Sequence, residues 1–209
     1  MIDYATPIMW LDYAAVAVFG ASGALAAARR KHDIVTFGFF AAVTGVGGGT
    51  LRDLLIGAPV FWVRQPDYLV ACLVAAAAVW LFGAGRWRLL ILGWLDAVGL
   101  SAYCVVGAAK AGSLGAPPLA AIVMGVLTAC FGGIIRDVLA EEPSALLKRE
   151  LYVTCAMLGA SVYVLLELAG VAPLAAGVIG AGAAFALRAA AMVLRWSLPG
   201  FPGRAPPEE

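Results

Sequence analysis

Two arginine–aspartate pairs, each preceded by glycines, are the residues best equipped for chemistry in this chain. The first stretch reads Thr44-Gly45-Val46-Gly47-Gly48-Gly49-Thr50-Leu51-Arg52-Asp53, and the second reads Thr128-Ala129-Cys130-Phe131-Gly132-Gly133-Ile134-Ile135-Arg136-Asp137. Each glycine weakens a helix by about 1 kcal/mol relative to alanine, so three in a row favour a kink or an unwound turn. Carbonyls bared at such a break can replace part of a cation's hydration shell. The other use of glycine in a membrane is close helix packing. An arginine at the centre of a membrane helix costs about 2.5–3.5 kcal/mol, and such residues usually face the bundle interior, pair with an acid and mark a solute path. Snorkelling to the headgroups is the alternative.

Neighbouring residues on a helix do not face each other, which makes Asp53 a poor expected partner for Arg52 and leaves Asp53 and Asp137 free to draw cations in or to pair with other helices. Asp12, a turn inside the first apolar stretch, and Asp96 are the expected partners, giving the pairs Asp12–Arg52 and Asp96–Arg136.

Other chemistries lack their residues. His32 is the only histidine, so neither a histidine metal cluster nor a catalytic triad can be assembled. The four cysteines, Cys72, Cys104, Cys130 and Cys155, lie in apolar stretches without C-x-x-C spacing and read as small buried hydrophobes. No phosphate-loop motif is present. The expectation is a non-enzyme without cofactor or metal.

The elements that hold the arginines are set by composition. The chain is 63% hydrophobic and only 13% charged, displaced on both axes from a soluble domain. A net charge of +1 gives no reason to expect nucleic acid as a partner. About 20 apolar residues cross a bilayer as a helix. Seven stretches fit: 8–28, 34–57, 66–83, 89–109, 117–140, 151–170 and 173–195, followed by a polar tail, 196–209. No basic residue precedes the first stretch, so it reads as a retained span and not a signal peptide. Lys and Arg gather on one side, at Arg29, Arg30, Lys31, Arg86, Arg88, Lys148, Arg149, Arg195 and Arg204, against Arg64 and Lys110 on the other. That bias puts the C-terminus in the cytoplasm and the N-terminus outside. Trp10, Trp62, Trp87, Trp94 and Trp196 stand near span ends, as interfacial anchors do.

A shift of 84 positions superimposes Trp10-Leu11-Asp12 on Trp94-Leu95-Asp96, Thr44 on Thr128, Gly48-Gly49 on Gly132-Gly133, Arg52-Asp53 on Arg136-Asp137, Pro59 on Pro143 and Tyr68 on Tyr152. Most of these residue types are scarce here, so chance is a poor account of the match. Each copy, 8–83 and 89–170, holds three spans, so the second enters the membrane from the opposite side. The expected architecture is an all-α polytopic membrane protein, with two inverted three-helix repeats plus a seventh helix, 173–195.

The paired G-G-x-x-R-D motifs, the Gly-Gly-Gly-Thr-Leu-Arg-Asp run at 47–53 and the 3+3+1 layout together resemble the trimeric intracellular cation (TRIC) channel family, in its prokaryotic branch. The resemblance implies a homotrimer with an ion path through each protomer, passing monovalent cations, chiefly potassium, across the inner membrane. It also implies that the second and fifth spans are kinked at their glycines and line the path. Carried over by residue, Gly47, Gly48, Gly49, Arg52 and Asp53, with Gly132, Gly133, Arg136 and Asp137, lie at or beside the pore. Phe131 replaces the first glycine of the second motif and is a candidate hydrophobic constriction. The longer basic tail and the lysine–glutamate signature of animal members are absent. The residues themselves also suit an alternating-access carrier for a small solute such as glycine, with the arginines on its carboxylate.

Overall fold

The computed structural model describes residues 6–82, 88–144, 146 and 150–199. Gly83, Arg86, Trp87, Lys148, Arg149, Arg204 and the tail beyond Pro199 lie outside the described residues, as do the side chains of Trp10 and Arg88.

Among the described residues the chain forms eight helices: α1 (Thr6–Arg29), α2 (Ile34–Leu55), α3 (Phe61–Arg64), α4 (Asp67–Phe82), α5 (Arg88–Ser113), α6 (Pro118–Leu139), α7 (Val153–Leu168) and α8 (Pro173–Leu194). All but α3 fall on the seven apolar stretches. Among the described residues four helices are long and apolar enough to cross a membrane: α2, α5 from Leu90 onward, α6 and α8. The apolar helices α4 and α7 have 16 residues each, about 24 Å of rise, short of the ~30 Å hydrocarbon core.

Local signals explain the helix ends. Asp33 caps α2 by accepting the Thr36 N–H at 2.9 Å, and that bond holds its carboxyl below the usual carboxylate range. Pro118 and Pro173 open α6 and α8 at positions where a missing N–H costs nothing. Gly57 ends α2 with φ +66°, and the Ala58 N–H returns to the Asp53 carbonyl at 2.8 Å. At the same offset Glu141 adopts φ +52°, and the Glu142 N–H returns to Asp137 at 2.9 Å. Both arginine–aspartate pairs therefore sit in the last turn of a helix closed by the same cap.

The packing follows the repeat. Helix α1 packs on α2 and α4, as α5 packs on α6 and α7, and α8 lies against α5 and α7. The interior is built from alanine, glycine and a few aromatics, among them Phe19, Tyr103, Tyr152 and Tyr163, while Val35, Leu81, Leu119, Leu165, Val178 and Val193 face outward. With lipid as solvent, side-chain size at the interface decides how closely helices approach.

Helices α2 and α6 cross at their glycines. A Cβ on Gly48 would overlap the Thr128 carbonyl, and one on Gly132 would lie 2.6 Å from the Thr44 carbonyl oxygen. Beside the crossing, Phe19 stacks on Tyr103 with ring centroids 5.2 Å apart. The two glycine contacts are images of each other at the 84-residue offset, and Phe19 meets its own equivalent, Tyr103.

The unwound turn expected at the glycines is not present: α2 and α6 run as unbroken helices through them. The backbone keeps its helical bonds, and the missing side chains serve the close approach instead.

Candidate functional site

Two ionic clusters lie near opposite ends of α1. Asp12 belongs to one and Ser22 to the other, ten residues or about 15 Å of helical rise apart. The α2–α6 crossing lies between them.

The α2 cluster is built by the ends of α2 and α5 and the start of α1. Arg52 is 1% exposed and Asp53 is fully buried. Arg52 Nε donates to Asp53 Oδ1 at 2.8 Å, with Nη2 at 2.8 Å from the same oxygen. Lys110 Nζ also approaches Asp53, at 2.8 Å from Oδ1 and 2.9 Å from Oδ2. The Phe61 N–H of α3 donates to Asp53 Oδ2 at 3.0 Å. The Phe61 ring packs where Gly49 has no Cβ, and both Arg52 and Lys110 lie within 6 Å of its centroid, at 5.8 and 5.7 Å. Asp12 instead accepts the Tyr68 hydroxyl at 3.0 Å.

Two expectations are corrected here. Arg52 makes no hydrogen bond or ion pair with Asp12 among the described residues, although their charges still interact through space. Asp53 is not a poor partner for Arg52 but bonds it directly, and it also pairs with another helix through Lys110 of α5. The rule that adjacent residues point apart concerns Cβ directions, whereas an arginine carries its guanidinium on a long flexible stem that can curl back to the next residue.

The α6 cluster repeats the motif with one difference. Arg136 Nε donates to Asp137 Oδ1 at 2.9 Å, and Nη1 lies 2.7 Å from Asp96 Oδ1. Nη1 also reaches the Ser22 hydroxyl at 3.2 Å. Asp96 is 3% exposed and accepts the Tyr152 hydroxyl at 3.4 Å, as Asp12 accepts Tyr68. Asp137 is held by Arg136 and is not left free for cations. A cavity of about 680 Å³ reaches Asp96, Arg136 and Asp137, with Arg29, Glu142, Glu150, Arg188 and Arg195 in its walls. Arg29 pairs with Glu142 at 3.0 Å and Arg188 with Glu150 at 3.0 Å. Phe131 is half-buried and Gly47 lies against Ile135.

The formal charges match in the α2 cluster and leave one acid in excess in the α6 cluster. In the α2 cluster Arg52 and Lys110 face Asp12 and Asp53, and in the α6 cluster Arg136 faces Asp96 and Asp137. Neither arginine stands uncompensated, as burial requires. No cluster of three or more His, Cys, Asp or Glu able to hold a metal occurs among the described residues. The four cysteines are buried and unbridged.

Sequence reasoning passed over Lys110, Phe61, Ser22 and Arg188. Arg188 carried a signal, a charge within the apolar stretch 173–195, whereas Lys110 stands just past the stretch 89–109. Tyr68 and Tyr152 were visible as a matched pair without a role.

A sequence model of a protein family described as glycine transporter matches the chain twice, at 9–84 and 93–168, with starts 84 positions apart. The UPF0126 inner membrane protein YadS of Escherichia coli strain K12 is 38% identical over 198 residues, covering 91% of this chain and 93% of the relative. Among solved structures, a TRIC trimeric intracellular cation channel orthologue from Rhodobacter sphaeroides superimposes with a TM-score of 0.89 at 47% identity, over 91% of this chain and all of that one. A prokaryotic TRIC channel crystallised in KCl superimposes with a TM-score of 0.84 at 25% identity, over 92% of this chain and 98% of that one. The relative and the solved structures match over nine-tenths of the chain, the family model matches twice at the spacing of the internal repeat, and the chain belongs to the prokaryotic branch of the TRIC channel family.

Proposed function

We propose that the protein is a monovalent cation channel selective for potassium, with one ion path through each protomer of a homotrimer. The path runs along α2 and α6, past Gly47, Gly48, Gly49, Arg52 and Asp53 at one end and Gly132, Gly133, Arg136 and Asp137 at the other. Phe131 forms a constriction between them. The observation that carries the cation reading is the neutralisation of each arginine by buried carboxylates, with one acid in excess around Arg136. An unpaired arginine would repel cations, whereas a paired one leaves the local field to the acids. The family's solved members, cation channels by description, support the same reading.

The seven-span, inverted-repeat architecture, with domains 8–83, 89–170, 173–195 and the tail 196–209, belongs to this proposal. It is supported by the reciprocal contacts at the 84-residue offset, which a pseudo-two-fold axis generates, and by the clusters' positions near opposite ends of α1. The family places the protein in a membrane, and the charge bias supports an external N-terminus and a cytoplasmic C-terminus.

A carrier for glycine is the second reading. It is favoured by a cavity whose walls carry both signs of charge, which suits a zwitterion. Proteoliposomes separate the two. Loaded with KCl and diluted into sodium medium, they are expected to release potassium passively and to take up no labelled glycine above empty vesicles. Saturable glycine uptake without passive potassium release would overturn the channel in favour of the carrier.

A further inference from the structure

The two clusters share a tyrosine that holds the acid of α1 or α5, yet the tyrosine is itself held in two different ways. In the α2 cluster the Tyr68 ring stacks on Tyr13 at 4.1 Å and takes the edge of Phe61 at 4.7 Å. At the 84-residue offset Tyr13 is replaced by Ala97, which has no ring to stack. The Tyr152 ring is covered instead by a charge from outside the repeat: the Arg188 guanidinium of α8 lies 5.2 Å from its centroid.

Arg188 is 5% exposed within an apolar helix long enough to span a membrane. Its Nη2 donates to Glu150 at 3.0 Å and its Nη1 to the Leu151 carbonyl at 3.2 Å, the two residues just before Tyr152. One planar fork therefore fixes the backbone leading to Tyr152 and the face of its ring. The Tyr152 hydroxyl then meets Asp96 at 3.4 Å, and Asp96 meets Arg136 at 2.7 Å.

We propose that Arg188 is a positioning residue through which the helix outside the repeat sets the Tyr152–Asp96–Arg136 cluster and hence the gating of the ion path. The functional half of this statement rests on the channel reading above. The structural half does not. A charge buried in α8 is costly unless it is paired and hydrogen-bonded, and these contacts supply both. Lysine keeps the charge but lacks the fork that reaches Glu150, the Leu151 carbonyl and the Tyr152 ring together, so Arg188→Lys separates position from charge.

The test uses full-length protein carrying 3-fluorotyrosine, with the Tyr152 fluorine resonance assigned by its loss in Tyr152→Phe, alongside single-channel recording. Arg188→Met and Arg188→Lys are both expected to move the Tyr152 resonance, as Asp96→Asn does. Both should also change the open-to-closed ratio, by up to about thirtyfold, the scale of a desolvated cation–π contact. Tyr152→Phe should act in the same direction, and Arg188→Met combined with it should act no further. Glu150→Gln, on the half-exposed partner, should produce a smaller change of the same sign and serves if an Arg188 variant fails to fold. A Tyr152 resonance unmoved by these variants, or Arg188→Lys indistinguishable from wild type in both readouts, would overturn the proposal. If the wild type passes no cation current while the resonance still moves, the channel reading falls and the positioning role stands.

Discussion

Arg136 and Arg52 differ in what their removal leaves behind, and that difference orders the expected effects of mutation. Arg136→Ala strands Asp96 and Asp137 together in a buried site, so its cost should be about 3–5 kcal/mol. Asp96→Ala leaves Arg136 still paired with Asp137 and should cost less, about 1–3 kcal/mol. Thermal unfolding in detergent checks the order, and an Asp96→Ala protein less stable than Arg136→Ala would contradict the pairing. Among the described residues Asp53 of the α2 cluster holds Arg52, Lys110 and the Phe61 N–H, whereas Asp12 holds the Tyr68 hydroxyl. Asp53→Asn should therefore lower the melting temperature more than Asp12→Asn. Exchanging Asp12 and Arg52 (Asp12→Arg with Arg52→Asp) should rescue neither single change, because they share no ion pair. The Asp96–Arg136 contact was legible in the sequence because both residues recur in register and lie at similar depth. Asp53 was misread because residue spacing reports Cβ directions and not the reach of a guanidinium. Lys110 was counted only as a loop charge, since nothing local to α5 reveals that Asp53 of another helix lies beside it.

Among the helices, the glycines act first as a contact surface. Gly132 brings α6 against the Thr44 carbonyl of α2, a backbone atom that cannot swing aside. Gly132→Ala should force the helices apart and cost about 1–3 kcal/mol. Gly182, on α8, has nothing within 4 Å of an added Cβ, so Gly182→Ala should be neutral or stabilise by about 0.5–1 kcal/mol through helix propensity. Paired melting curves test this, and equal effects at the two positions would contradict the crossing. The positions of the long helices were readable from hydropathy alone, and their ends from Asp33, Pro118, Pro173 and Gly57. The short helix α3 was not, because four residues carry no period. Its importance, placing Phe61 over Gly49 and its N–H on Asp53, is set by tertiary contact alone. Glycine frequency likewise could not choose between a broken helix and a close crossing. That choice depended on the Thr44 and Thr128 carbonyls of the facing helix.

Across the described residues several contacts recur at the 84-residue offset, whereas the charges do not. Lys110 compensates the α2 cluster, while its counterpart at the 84-residue offset is Ala26, and α8 adds Arg188 to the α6 side alone. Removing Lys110 gives the α2 cluster the same excess of one acid that the α6 cluster has. Lys110→Met should therefore raise cation conductance, more at 0.1 M than at 1 M KCl because salt screens the added charge. Recordings at the two concentrations check this, and a fall in conductance would show that Lys110 holds the path open instead of opposing the ion.

The central claim, that this family member passes cations through a path of neutralised arginines, is tested most directly by its reversal potential. Purified protein in a planar bilayer under a KCl gradient should show discrete openings that reverse near the potassium potential. Reversal near the chloride potential would contradict the account and make Arg52 and Arg136 anion sites.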